Sequence, residues 1–222
     1  SAVGVAKAVE IARHDGEFEK KRTENKLTRT ETRYADGKAT TKVETSSTKL
    51  GAGSLTQANK TTRSTVTADG KTTGEKSATS TVSKDGLAFD RSAKHETEKD
   101  GQTTSTEVKR SVQAGPGGAS ITDTTTKKAA DGSEHTKTSG AALERGDGKA
   151  GVTRSSGSSS KDAAGNRSSD TSTHKAGVVA GPDGMGATTD HERKTETQSA
   201  KGLKTGAVVG LSANILCNVA PV

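Results

Sequence analysis

A turn signal returns through this chain at almost constant spacing. Asp-Gly pairs stand at Asp15-Gly16, Asp36-Gly37, Asp69-Gly70, Asp85-Gly86, Asp100-Gly101, Asp131-Gly132, Asp147-Gly148 and Asp183-Gly184. Three other turn-forming clusters, Gly51-Ala52-Gly53, Gly115-Pro116-Gly117-Gly118 and Ala164-Gly165-Asn166, fill the gaps. Between about residue 37 and residue 165 a turn therefore recurs every 15 to 17 residues. Asp-Gly suits a two-residue hairpin because both central positions take positive φ, which Gly tolerates freely and Asp better than most residues. A period of this length identifies a repeat architecture.

The segments between turns read as strands. Threonine occurs 35 times, often at alternate positions: Thr28, Thr30 and Thr32, then Thr122, Thr124 and Thr126, then Thr195 and Thr197. A spacing of two puts such side chains on one side of an extended strand. Threonine is β-branched, and opposed threonines interact across a ladder. Helical spacing of apolar residues is absent through the middle of the chain. The fold class expected is all-β, with long antiparallel strands joined by Asp-Gly hairpin turns into a large up-and-down sheet or barrel with a polar interior. A β-solenoid with one turn per coil is the competing geometry.

A conventional core is excluded by arithmetic. Of 222 residues, 30 are Val, Ile, Leu, Met, Phe or Tyr, where an ordinary domain would carry roughly twice that share. Each contributes about 1.5–3 kcal/mol when fully buried, against about 1–2 kcal/mol per residue for ordering the backbone. Backbone pairing and contacts between copies must supply the rest. In Thr72–Lys84 neither strand face is apolar: Thr73, Glu75, Ser77, Thr79 and Thr81 alternate with Gly74, Lys76, Ala78, Ser80 and Val82.

The large apolar residues concentrate at the two ends, dividing the chain into three: 1–12, apolar; 13–204, repetitive and rich in Thr, Ser and Gly; and 205–222, apolar. Val3, Val5, Val9 and Ile11 mark the first, and Val208, Val209, Leu211, Ile215, Leu216 and Val219 the last. Three readings stand: the ends pair with each other as a small private core, one end docks as an added strand on the next subunit, or an end is a residual signal or anchor segment. On the second, these ten residues are the candidate subunit contacts.

Little in the chain resembles catalytic machinery, and no enzymatic activity, cofactor or metal is expected. His14, His95, His135, His174 and His191 form no H-E-x-x-H pattern. Gly181-Pro182-Asp183-Gly184-Met185-Gly186 lacks the Lys-Ser/Thr of a phosphate loop. The lone Cys217 allows no internal disulfide, and no apolar run is long enough for a transmembrane helix. The 34 Lys and Arg against 27 Asp and Glu, net +7, are dispersed and lack aromatics for base stacking. No specific nucleic-acid partner is therefore expected, although anionic matrix polymers could be held non-specifically.

Asp162-Ala163-Ala164-Gly165-Asn166-Arg167 resembles the D-x-x-G-N core of the secreted YD or Rhs-type β-repeats, without their tyrosine. The resemblance implies a long-strand β-architecture and no activity. The functional expectation is a secreted structural protein, found extracellularly or at the cell surface with its signal peptide removed, that assembles with itself into a filament or surface fibre. An ice-binding protein using Thr-x-Thr rows and an adhesin or phage-type fibre shaft are the alternatives.

Overall fold

The computed structural model describes residues 18–22, 28–51, 53–181 and 184–217. The candidate contacts Val3, Val5, Val9, Ile11 and Val219, and with them the segment 1–12, lie outside this set. Thirteen strands follow one another in a single antiparallel up-and-down sheet that is not closed, in the order of the sequence. They are β1 (Phe18–Arg22), β2 (Thr28–Ala35), β3 (Lys38–Gly51), β4 (Ser54–Val66), β5 (Gly70–Ser83), β6 (Gly86–Lys99), β7 (Gln102–Gly115), β8 (Gly118–Lys128), β9 (Glu134–Gly146), β10 (Lys149–Lys161), β11 (Arg167–Gly181), β12 (Gly184–Gln198) and β13 (Lys204–Cys217). Neither a closed barrel nor a solenoid forms: each strand folds back beside the one before it.

Most strands run 13 to 15 residues, about 45 Å at 3.3 Å per residue. The register from β9 to β11 is uninterrupted: all thirteen residues of β10 pair with β9 on one side and β11 on the other. No described side chain is buried, so the polar character expected of an interior lies on two solvated sides. Main-chain hydrogen bonds, each contributing about 0.5–1.5 kcal/mol net, are the chief cohesive term.

Hydroxyl pairs tie neighbouring strands together. The Oγ1 atoms of Thr32 and Thr41, Thr40 and Thr65, and Thr56 and Thr81 lie 3.1–3.2 Å apart. The Oγ atoms of Ser77 and Ser92 lie 2.8 Å apart. These hydroxyls bond to each other in isolated couples rather than standing outward as one regular rank.

The turns divide into two kinds. Asp36-Gly37, Asp100-Gly101 and Asp147-Gly148 hold both residues at positive φ, 50–52° for Asp and 66–76° for Gly, as a type I′ hairpin requires. Asp69-Gly70 and Asp85-Gly86 differ from expectation. The turn ends at the Asp, and the Gly opens the next strand. The reason is close approach. A Cβ on Gly70 would stand 2.1 Å from the Glu98 carbonyl oxygen, and one on Gly86 2.0 Å from that of Ala114. A Cβ on Gly118, at φ 146°, would stand 1.9 Å from the Leu143 carbonyl oxygen.

The D-x-x-G-N segment is a clasp. The Asp162 carboxylate accepts from the Asn166 backbone N–H at 2.8 Å and from its Nδ2 at 2.6 Å. The Asn166 Oδ1 accepts from the Ala200 N–H at 2.9 Å, in the loop between β12 and β13.

The chain divides into two compact units. The first comprises Ser1–Lys84, Phe89–Lys109 and Lys127–Asp131; the second comprises Asp85–Ala88, Arg110–Thr126 and Gly132–Val222.

Candidate functional site

Strand β13 ends the sheet order, pairing with β12 through fourteen consecutive residues. No bulge interrupts it, it contains no proline, and its one charged residue is Lys204. Of the candidate contacts, Val208 and Val209 are each 62% exposed, Ile215 64% and Leu211 71%. Leu216 lies within the strand, paired with Gly186. The other end of the sheet order is β1, FEKKR, in which Glu19, Lys20, Lys21 and Arg22 are charged. Charged side chains, lysine above all, blunt an edge against strand addition, whereas a long uncharged edge is a template for it.

Register shows an apolar patch that the alternation of Thr72–Lys84 did not reveal. In the second unit Leu143 stands opposite Val152, Val152 opposite Ala176, and Ala150 opposite Val178. Val178 stands opposite Ala187, and Ala187 opposite Ile215. Partners in register project to one side of a sheet, so Leu143, Val152, Val178 and Ile215 share a side. All four are exposed. The sequence carries this signal only as single apolar residues near strand ends, and a patch emerges once the register is known.

Beside this patch His174 and His191 face each other in register, with ring centroids 4.0 Å apart. Arg193 grips Asp170 through two bonds, Nε to Oδ1 at 3.1 Å and Nη2 to Oδ2 at 2.6 Å. Arg110 holds Asp123 in the same way at 2.6 and 2.9 Å. The guanidinium beside each carboxyl holds it below the usual aspartate range. Asp162 is likewise lowered, chiefly by the Asn166 side chain.

In the first unit the charges segregate by side. Glu31, Lys42, Arg63 and Gly74 form one row across β2 to β5, and Arg29, Glu44, Thr61 and Lys76 form the next. Arg33, opposite Thr40, lies in the row beyond. With Lys38, and with Arg91, His95 and Lys99 of β6, the described strand residues of β2 to β6 on this side include eight Lys and Arg against Glu31 and Glu44. The Ser77–Ser92 bond fixes the sidedness of β6. The opposite side carries Lys49, Lys60, Lys71, Lys94 and Lys109 against Glu75, Asp90, Glu96, Glu98 and Glu107. There the ion pairs Lys60–Glu75 at 2.9 Å, Lys94–Glu96 at 2.7 Å and Lys109–Glu107 at 3.1 Å neutralise one another. Glu96 is held below its usual range by Lys94, and Lys94 is raised in turn.

The cationic side is hollowed. A trough of about 700 Å³ is lined by Arg33, Lys42, Arg63, Lys76 and His95 together with Glu31, and it reaches Glu75 and Lys94 as well, with Gly74 and Ala93 giving it depth. Lys42 pairs with Glu44 at 2.5 Å, which lowers the Glu44 carboxyl, and Arg29 pairs with Glu31. Arg33, Arg63 and Lys76 make no ion pair among the described residues. Sequence reading registered these cations as dispersed, because their convergence depends on the register of five strands.

Among the described residues no group of three or more His, Cys, Asp or Glu is placed to hold a metal ion, and no helix is long and apolar enough to cross a membrane. No family model, curated protein or solved structure matches the chain.

Proposed function

We propose that this chain is a secreted structural subunit that assembles with copies of itself into an extracellular filament or surface fibre, with β13 accepting a strand from a neighbouring copy. The observation that carries this reading is the contrast between the sheet's two edges. One is charged at four of five residues, and the other is a fourteen-residue strand with one charge and exposed Val208, Val209, Leu211 and Ile215. An edge of that length and composition presents unpaired N–H and C=O groups to any second strand.

The apolar patch of Leu143, Val152 and Val178 is continuous with Ile215 through Ala187. Exposed patches of this kind mark interaction surfaces, and a neighbouring copy docked at β13 lies beside it. Mutual burial stabilises the assembled form by mass action, which supplies what a subunit without a buried core lacks.

Deleting 205–222 tests the reading. It exposes β12 as the new edge, where Asp190, Glu192, Arg193, Lys194 and Glu196 protect against strand addition. The full chain forms filaments under negative-stain microscopy, and the truncated chain gives soluble β-rich protein without them. Filaments of unchanged width and abundance from the truncated chain would refute the role of β13.

A further inference from the structure

We infer that the cationic trough of the first unit is a binding site for a linear carboxylated polysaccharide, laid across the strands. This goes beyond self-assembly, since a chain that stays solitary presents the same trough.

Three observations support it. First, the cations sit on one side: eight Lys and Arg face two Glu there, while the opposite side is balanced at five and five. A protein needing positive charge only for solubility has no reason to segregate it. Second, each of four successive strands contributes one cation to the trough: Arg33 from β2, Lys42 from β3, Arg63 from β4 and Lys76 from β5. Neighbouring strands lie about 4.8 Å apart. Lys42 and Arg63 stand in one row, with Arg33 one row to one side and Lys76 one row to the other, so a polymer crossing the strands obliquely meets one cation on each of four strands. Third, Arg33, Arg63 and Lys76 have no acidic partner among the described residues, whereas Lys60, Lys94 and Lys109 on the other side are paired. Their charges stand uncompensated toward solvent.

The choice among polyanions follows from the lining. No Phe, Tyr or Trp borders the trough, so bases find little to stack upon, and stacking supplies much of the sequence-independent affinity for single-stranded nucleic acid. Hydroxyls do border it, from Thr40, Thr61 and Thr106, and these exchange hydrogen bonds with sugar hydroxyls. Arg33 and Arg63 can take a carboxylate bidentately. Lys42 contributes as it is shared away from Glu44. Each neutralised carboxylate releases condensed counterions, so affinity falls steeply with added salt.

Binding of the full chain to polygalacturonate, read by titration calorimetry at low salt, tests the site. The variant with Arg33→Gln, Lys42→Gln, Arg63→Gln and Lys76→Gln loses about tenfold or more in affinity, with a shallower salt dependence. The control with Lys49→Gln, Lys60→Gln, Lys71→Gln and Lys109→Gln removes the same charge from the opposite side, at residues that do not line the trough, and stays within about twofold of the parent. Gly74→Leu keeps every charge and fills the trough: a Cβ there meets nothing within 4 Å and the backbone φ is not positive. It folds as the parent does by circular dichroism and weakens binding. Equal losses in the two charge variants would overturn the site, as would full affinity in Gly74→Leu. Tighter binding of oligothymidylate, or of anionic lipid vesicles, than of polygalacturonate would overturn the ligand class.

Discussion

The two compact units share one backbone plan and differ in what they show to solvent. In the first, Thr and Lys are the commonest residues, and the cations Arg33, Arg63 and Lys76, which make no ion pair among the described residues, line a trough. In the second, Gly and Ala are the commonest, charges such as Arg110 and Arg193 are clamped to Asp123 and Asp170, and apolar side chains collect from Leu143 to Ile215. The ladder of main-chain bonds is indifferent to this contrast, because side chains stand perpendicular to it and alternate between sides. A sheet without a core thus leaves its surface chemistry free to vary from unit to unit. On the proposals above, one unit would hold an anionic polymer and the other a neighbouring copy.

Breaking the apolar character of the second unit has the largest expected effect. Val209→Lys with Leu211→Lys places two cations in β13, the device by which natural edges resist strand addition. Filament yield, measured by sedimentation, falls to background. The paired control Thr62→Lys with Ser64→Lys, in β4 of the first unit, adds the same charge far from any edge and leaves assembly intact. Equal loss from both pairs would mean that net repulsion, not the edge, governs assembly.

A medium effect separates backbone from surface. If the ladder is common to both units, glycines at close crossings are equally intolerant in each. Gly70→Ala in the first unit and Gly118→Ala in the second each place a methyl about where a neighbouring carbonyl oxygen already sits, 2.1 Å from that of Glu98 and 1.9 Å from that of Leu143. Gly118 adds the strain of φ 146°. Each substitution lowers unfolding stability by about 1–3 kcal/mol. Gly74→Ala, with open space around its Cβ, raises it by about 0.4–1 kcal/mol. Urea titration followed by circular dichroism ranks the three, and a Gly74→Ala as damaging as Gly118→Ala would show that the crossings are not what glycine serves.

The period of turns was readable from sequence because Asp-Gly and its glycine-rich substitutes have local conformational causes. Asp36-Gly37 and Asp100-Gly101 adopt the conformation their residues favour on their own. Gly70 and Gly86 were misplaced by one step, since what fixes them is the carbonyl of a strand more than two dozen residues onward, and no local preference encodes that. Strand existence and polarity followed from threonine alternation. The trough and the apolar patch did not, because each is a sum over strands: Arg33, Lys42, Arg63 and Lys76 are adjacent only in the register that joins β2 to β5. The edge character of β13 lay between the two. Its composition was plain from Val208, Val209 and Leu211, while its place at the end of the sheet order depended on an open sheet rather than a barrel.

The smallest effect concerns acid. In the second unit Asp123 and Asp170 are held below the usual aspartate range by Arg110 and Arg193; in the first, Glu44 and Glu96 are lowered by Lys42 and Lys94. A carboxyl lowered in the folded state favours folding above its unfolded pKa, about 3.9 for Asp and 4.3 for Glu. That contribution disappears as pH falls through the folded value. All four groups are solvent-exposed, so each contributes little and salt screens it further. Stability is therefore flat from neutrality down to the ordinary carboxylate range and declines below it, by similar amounts in both units. Arg110→Gln, Arg193→Gln, Lys42→Gln and Lys94→Gln each return the partner carboxyl toward its ordinary value in a carbon-detected NMR titration, and each removes only its own share of the acid dependence. The bidentate Asp123 and Asp170 move more than Glu44 and Glu96, because a guanidinium fork adds a second directed bond to the same charge pair. Equal movement in all four would mean that contact with a cation, rather than fork geometry, sets these shifts in both units.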